Sequence, residues 1–100
     1  MIIEYDDDLR QYLLDKGLSA IAVEVVSSQH SDIEVTELYV HTVKPGQAEY
    51  MKAKKKFRGI PAPIGELLLP AYRLEYDETV SFRLKKTWIF RSIAYTGIRL

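Results

Sequence analysis

In this chain of 100 residues, apolar side chains recur at every second position in at least four separate stretches, while only one convincing stretch carries them at helical spacing. Successive side chains of a strand point to opposite faces, so this period commits most of the chain to sheet. Ile21, Val23 and Val25 share one face of the first long stretch, and Ala20, Ala22, Glu24 and Val26 share the other. A polar interruption at residues 27–32 separates it from a second stretch, where Ile33 and Val35 stand in one phase and Leu38 and Val40 in the opposite one. The slip near Glu37 predicts a β-bulge or a strand buried on both faces. Further on, Tyr72, Leu74 and Tyr76 alternate with Arg73 and Glu75, and Asp77-Glu78 reads as a turn. Val80, Phe82 and Leu84 then alternate with Ser81 and Arg83, Lys85-Lys86 interrupts, and Trp88, Phe90, Ile93 and Tyr95 follow. Alternation with a solvated polar face is the pattern of an antiparallel sheet with one side buried.

The helical stretch lies near residues 8–16. Ile2, Ile3 and Tyr5 form a short strand that runs into Asp6-Asp7-Asp8. Carboxylates at that point accept bonds from unpaired N–H groups and favour the positive end of the helix dipole. Leu9, Tyr12 and Leu13 follow at helical spacing, and Gly17 suits the left-handed residue after a helix. Lys44-Pro45-Gly46 reads as a turn, and residues 47–57 fit either helix or loop. Residues 59–65 carry two prolines between two flanking glycines and read as a loop within the domain.

One hundred residues suit a single domain, 1–100, with one modest core. The fold class expected is α+β: a β-rich, mainly antiparallel curved sheet with one short N-terminal helix. Its core is expected to contain Ile21, Val23, Val25, Leu74, Phe82, Leu84 and Phe90. The absence of cysteine excludes disulfides, thiolate zinc sites, a nucleophilic thiol and thiolate-held iron–sulfur clusters. The start, Met1-Ile2-Ile3-Glu4, does not resemble a secretory signal, and no apolar run is long enough to span a bilayer. The expected address is therefore the cytoplasm, with no membrane among the partners.

Charge is segregated along the chain. Residues 1–49 hold ten Asp or Glu against three Lys or Arg, and residues 50–100 hold four against eleven, so two opposite excesses of seven cancel. Such a division favours an oppositely charged partner or a second copy turned head to tail. A homodimer is the expected assembly, with Ile60, Pro61, Pro63, Ile64 and the leucines at 67–69 as candidate apolar contacts.

Lys52, Lys54, Lys55, Lys56 and Arg58, with Tyr50 and Phe57 nearby, form the strongest local signal. Cations beside aromatic rings suit contact with an acidic partner, or phosphate contact with base stacking. The zero net charge makes nucleic acid an unlikely partner. His30 and His41 are the best neutral nitrogen ligands and could be joined by Asp32 or Glu34, but their spacing matches no recognised metal pair. Asp6, Asp7 and Asp8 suit a helix start better than a cation cage. Ser27 and Ser28 beside His30 lack the turn that exposes a serine nucleophile. Trp88, Ile89 and Phe90 read as core or interface residues. No base, nucleophile and oxyanion donor stand at a recognised spacing, so neither an enzyme nor a bound cofactor is expected.

The start Ile2-Ile3-Glu4-Tyr5-Asp6 with its short helix, the strand at residues 20–26, and the ending from Val80 to Leu100 resemble the HesB-like fold of A-type iron–sulfur carriers. The resemblance covers most of the chain. It is nearest to small relatives in which a Cys-Cys or selenocysteine-Cys pair follows the second strand. At that place this chain reads Ser27-Ser28-Gln29-His30, so the family's ligands carry over to no residue. The resemblance thus implies the fold without the cluster chemistry. The function expected is a non-catalytic binding or self-assembling domain. The alternatives are a metal- or cluster-handling accessory and weak single-strand nucleic-acid binding through residues 52–58.

Overall fold

Asp6 ties the first helix to the sheet beside it. Its carboxylate accepts from the Leu9 N–H at 2.8 Å and from the Leu84 N–H at 3.3 Å, and its own N–H donates to the Phe82 carbonyl at 3.1 Å. In this computed structural model the backbone of all 100 residues is described, together with every side chain except that of His30. The elements are β1 (Ile2–Tyr5), α1 (Asp7–Lys16), β2 (Ala20–His30), β3 (Ile33–Val43), α2 (Pro45–Lys54), β4 (Arg58–Pro61), β5 (Glu66–Leu69), β6 (Glu75–Thr87) and β7 (Phe90–Arg99). Helix α1 starts and stops where its sequence directs, with Asp6 as cap, Asp7 and Asp8 in the first turn, and Gly17 left-handed at φ 66°.

The strands form two open sheets, one in the order β1-β6-β7 and the other β3-β2-β5-β4. The architecture is therefore α+β and strand-rich, but the expected single antiparallel sheet is corrected to two mixed ones. Strand β1 pairs with β6 in parallel, as does β2 with β5, while β2–β3, β4–β5 and β6–β7 are antiparallel. Parallel pairs need a crossover, and the segments that cross supply the helices. A second helix, α2, corrects the expectation of only one. Pro45 opens α2 instead of ending β3 in a turn, because proline lacks only an N–H that a first-turn residue leaves unpaired anyway.

Two cores result. The larger one holds Leu9 and Leu13 of α1, Tyr5, Val80, Phe82, Leu84 and Ile98 of the three-stranded sheet, and Ile21, Val23, Val40, Leu67 and Leu69 of the four-stranded one. The other face of that second sheet presents Ala20, Ala22, Val43 and Leu68 to Ala48 and Met51 of α2. Strand β5 is thus covered on both sides, so the leucines at 67–69 are interior and are not available as a dimer contact. The phase slip in β3 has the same origin. Its register with β2 runs unbroken from Ile33 to Val43, and Val40 and Val43 point into different cores, so no bulge is present there.

Other expectations are corrected as well. The segment at 59–65 contributes β4, whose Pro61 is tolerated because β4 is an edge strand. Residues 71–74 lie outside any strand, and β6 begins only at Glu75. Asp77-Glu78 does not turn the chain; the β6–β7 register slips between Tyr76 and Ser81 and then continues. The true reversal is the two-residue loop Trp88-Ile89, with Thr87 facing Phe90. Phe90, placed in the core by its parity with Phe82, is 68% exposed, because its end of the hairpin extends beyond the layers that cover Phe82.

Candidate functional site

The basic run is divided by the fold. Lys52 lies on the last turns of α2, where its Nζ is 3.1 Å from Glu49 Oε1 and 2.9 Å from Glu66 Oε1. The hydrogen bonds that Lys52 donates to these carboxylates, Glu66 foremost, hold its ammonium above the ordinary range. The pair with Glu66 fastens α2 to β5, so Lys52 has carboxylate partners within the fold.

The chain then leaves α2 through a tight reversal. The N–H groups of Lys55 and Phe57 both donate to the Met51 carbonyl, at 3.0 and 3.2 Å, and Lys56 takes the left-handed φ of 60°. Phe57 thereby folds back against the smaller core, the apolar closure that commonly accompanies such helix ends. Beyond it, Lys56 and Arg58 line a shallow groove of about 350 Å³ with Pro70, Tyr72, Arg73, Leu74 and Tyr76. The opposite wall is the irregular stretch between β5 and β6, held in place by buried Leu69 and Leu74.

Lys56, Arg58 and Arg73 make no ion pair among the described residues, and neither do the exposed Lys54 and Lys55. Tyr72 is half exposed, whereas partial burial pushes the Tyr76 phenol up and the neighbouring Arg58 pulls it back. Arginine forks and lysine ammonium groups beside aromatic rings can hold carboxylates or phosphates, and can stack on planar groups. The groove therefore carries three positive side chains beside two tyrosine rings.

Sequence reading found Lys56 and Arg58 but missed Arg73, Tyr72 and Tyr76. Alternation places those three in a strand with one buried face; Tyr76 does lie in β6, whereas Tyr72 and Arg73 fall in the irregular stretch before it. The signal that argues otherwise is Pro70, which cannot donate to a central ladder and makes an irregular lead-in more natural.

The histidines do not come together in any described way. The backbone of His30 ends β2, and its side chain lies outside the described residues, so its part as a metal candidate does too. His41, on β3, directs Nε2 at Glu24 Oε2 of β2 and has Nδ1 3.1 Å from the Thr42 carbonyl. The Tyr39 ring stacks on it at 4.5 Å between centroids. Both ring nitrogens thus face acceptors, and a neutral imidazole has one N–H to give. Among the described residues no three of His, Cys, Asp and Glu group closely enough to hold a metal ion. Ser27 has its Oγ 3.3 Å from Thr36 Oγ1 across the β2–β3 ladder.

Asp6 caps α1, and Asp7 pairs with Arg10, which gives the acidic start a structural role. None of the described helices is long and apolar enough to cross a membrane. Neither a family model, nor a curated protein, nor a solved structure matches this chain.

Proposed function

We propose that the chain is a non-catalytic binding domain that engages an acidic polypeptide segment through the groove of Lys56, Arg58, Arg73, Tyr72 and Tyr76. One observation carries this reading. Lys56 and Arg58 of the basic run meet Arg73, from the stretch between β5 and β6, in one groove without a carboxylate partner, while Lys52 of the same run is paired with Glu49 and Glu66. Like charges brought together without neutralisation raise the local positive potential, which favours an anionic partner and speeds its approach. Lys54 and Lys55 add to that potential at the end of α2.

The test is fluorescence anisotropy with a labelled Glu-rich peptide and a labelled single-stranded oligonucleotide of equal charge. Preference for the peptide, lost at high salt and in Arg73→Glu, supports the reading. Preference for the oligonucleotide, with loss in Tyr72→Ala, would replace it by single-strand binding, since stacking contributes about 1–3 kcal/mol per base. Binding to neither would end both.

Self-association is a second mode, favoured by the edge position of β3. This strand of 11 residues pairs only with β2, so one side of its backbone ladder is unpaired in the sheet order. The charge halves are a weaker support than the sequence suggested, because each sheet combines strands from both halves. Sedimentation equilibrium at low and high salt checks this mode, and a strict monomer at high concentration would exclude it.

A further inference from the structure

The β6–β7 hairpin ends in Trp88, Ile89 and Phe90, which are 89%, 76% and 68% exposed. No other described residue of the chain is an exposed aromatic or aliphatic at such a turn together with two like neighbours. The backbone makes the choice of residue stranger. Trp88 is the first residue of a two-residue hairpin loop and has φ 56°. That slot is the one glycine usually takes, and a bulky side chain there is strained. The β2–β3 hairpin has the same construction, with Ser31 at φ 57°, and fills it with Ser31-Asp32. Local strain combined with exposed apolar surface points to a use outside the fold.

Behind the tip the ladder places Lys86 directly opposite Arg91, and Lys85 opposite Ser92. Like charges facing across a strand pair repel, so this arrangement also disfavours the isolated hairpin. Neighbouring positions on a strand point to opposite faces, so Lys85 and Lys86 put cations on both sides of the ribbon. Among the described residues the one ion pair of these three is Lys86 with Asp8, at 3.9 Å between half-exposed groups.

We propose that this hairpin docks the protein on an anionic lipid surface, with Trp88, Ile89 and Phe90 entering the interface and Lys85, Lys86 and Arg91 meeting the headgroups. The arrangement matches a bilayer in three respects. The tip is the turn end of a two-stranded ribbon, with Trp88, Ile89 and Phe90 all exposed. Its cations stand two or three residues behind Trp88, roughly 7–10 Å at strand rise, close to the depth of about 5–10 Å to which interfacial segments enter. Their long stems let the charged ends remain among the headgroups while the tip is immersed. Tryptophan favours this interface, and juxtamembrane lysine and arginine are drawn to anionic lipid. Interfacial docking needs no spanning helix.

Trp88 is the single tryptophan of the chain, so its emission reports the tip alone. The full chain is mixed with phosphatidylcholine vesicles containing about one-third phosphatidylserine, and with pure phosphatidylcholine vesicles. Docking predicts a blue shift and co-sedimentation with the anionic vesicles, weakened at least about tenfold by high salt or by pure phosphatidylcholine. Trp88→Gly relieves the strained φ, so it should fold at least as well as the parent and still lose co-sedimentation. Replacing Lys85, Lys86 and Arg91 by Glu should do the same with the parent fold retained by circular dichroism. No shift and no co-sedimentation at low salt would overturn the proposal. So would unchanged binding by Trp88→Gly, or binding lost through Arg73→Glu and kept by the hairpin variants. A blue shift that grows with protein concentration in the absence of vesicles would assign the tip to a second copy instead.

Discussion

The carbonyl of Ser19 fills the space in which a side chain at Gly65 would begin: a Cβ there would lie 1.7 Å from Ser19 O. The same carbonyl accepts from the Glu66 N–H at 2.8 Å, so it aligns β5 beside β2 at the start of their parallel pairing. Gly65 is also left-handed, at φ 64°. Space and conformation thus both require glycine at the point where the central strand of the second sheet begins. Gly65→Ala should destabilise by about 3 kcal/mol or more, since the obstacle is backbone and cannot swing aside. Gly46→Ala, within α2 and with nothing within 4 Å, should instead be neutral or stabilise by about 0.4–1 kcal/mol. Thermal melting of the two variants checks the contrast.

Phe82 and Phe90 share a parity but not an environment. Phe82 is 2% exposed, and its ring meets that of Tyr5 edge to face at 5.7 Å between centroids. Phe82→Ala should cost about 3–5 kcal/mol, a large share of the stability of a domain this size. Phe90→Ala should change it by less than about 0.5 kcal/mol. Chemical denaturation of both measures the difference. Equal losses would mean that the hairpin end is covered in solution.

Tyr5 offers a test of buried polarity. Its hydroxyl is buried and has no hydrogen-bond partner among the described residues, and burial pushes the phenol well above its ordinary value. Tyr5→Phe keeps the ring and removes the unpaired group, so at neutral pH the variant should be as stable as the parent or up to about 1 kcal/mol more so.

The same group sets an alkaline limit. Above the ordinary tyrosine value of 10.0 the unfolded chain releases the Tyr5 proton while the native chain keeps it. The unfolded state then binds fewer protons, so stability falls as pH rises, by at most about 1.4 kcal/mol per pH unit from this group. Below that pH the contribution is constant. Lys52, also raised, acts in the same direction: its stabilising pair with Glu66 is complete below the ordinary lysine value and is lost as pH rises through the native one. Denaturation midpoints between pH 8 and pH 11 should therefore decline more gently for Tyr5→Phe than for the parent, with the Lys52 part of the decline common to both.

If the groove is the contact surface, charge reversal at Arg73 should weaken peptide binding about tenfold or more. Lys52→Gln should leave binding nearly unchanged and act on stability, because its ammonium is held by Glu66 and Glu49. The two variants separate a spatial cluster from a linear run. Anisotropy titrations alongside thermal melts measure both effects.

Much of the local structure was legible without coordinates. The cap at Asp6, the stop at Gly17 and the shared faces of Ile21 with Val23 and Phe82 with Leu84 follow from preferences that act within a few residues. Alternation states which side chains lie on one side of a strand. It does not state which strand lies alongside, nor where the covering layer ends. Pairing of β1 with β6, some 77 residues away at Ile2 and Thr79, is decided by the packing of the whole chain. So is the two-sided burial of β5, which made interior residues of leucines that looked like a surface patch. The same holds for function. Adjacency in sequence gathered Lys52 with Lys56, but the fold gave Lys52 to Glu66 and brought Arg73 to Lys56 instead. Sequence fixes short-range geometry because backbone preferences are local, whereas a binding surface depends on contacts that only chain reversal brings about.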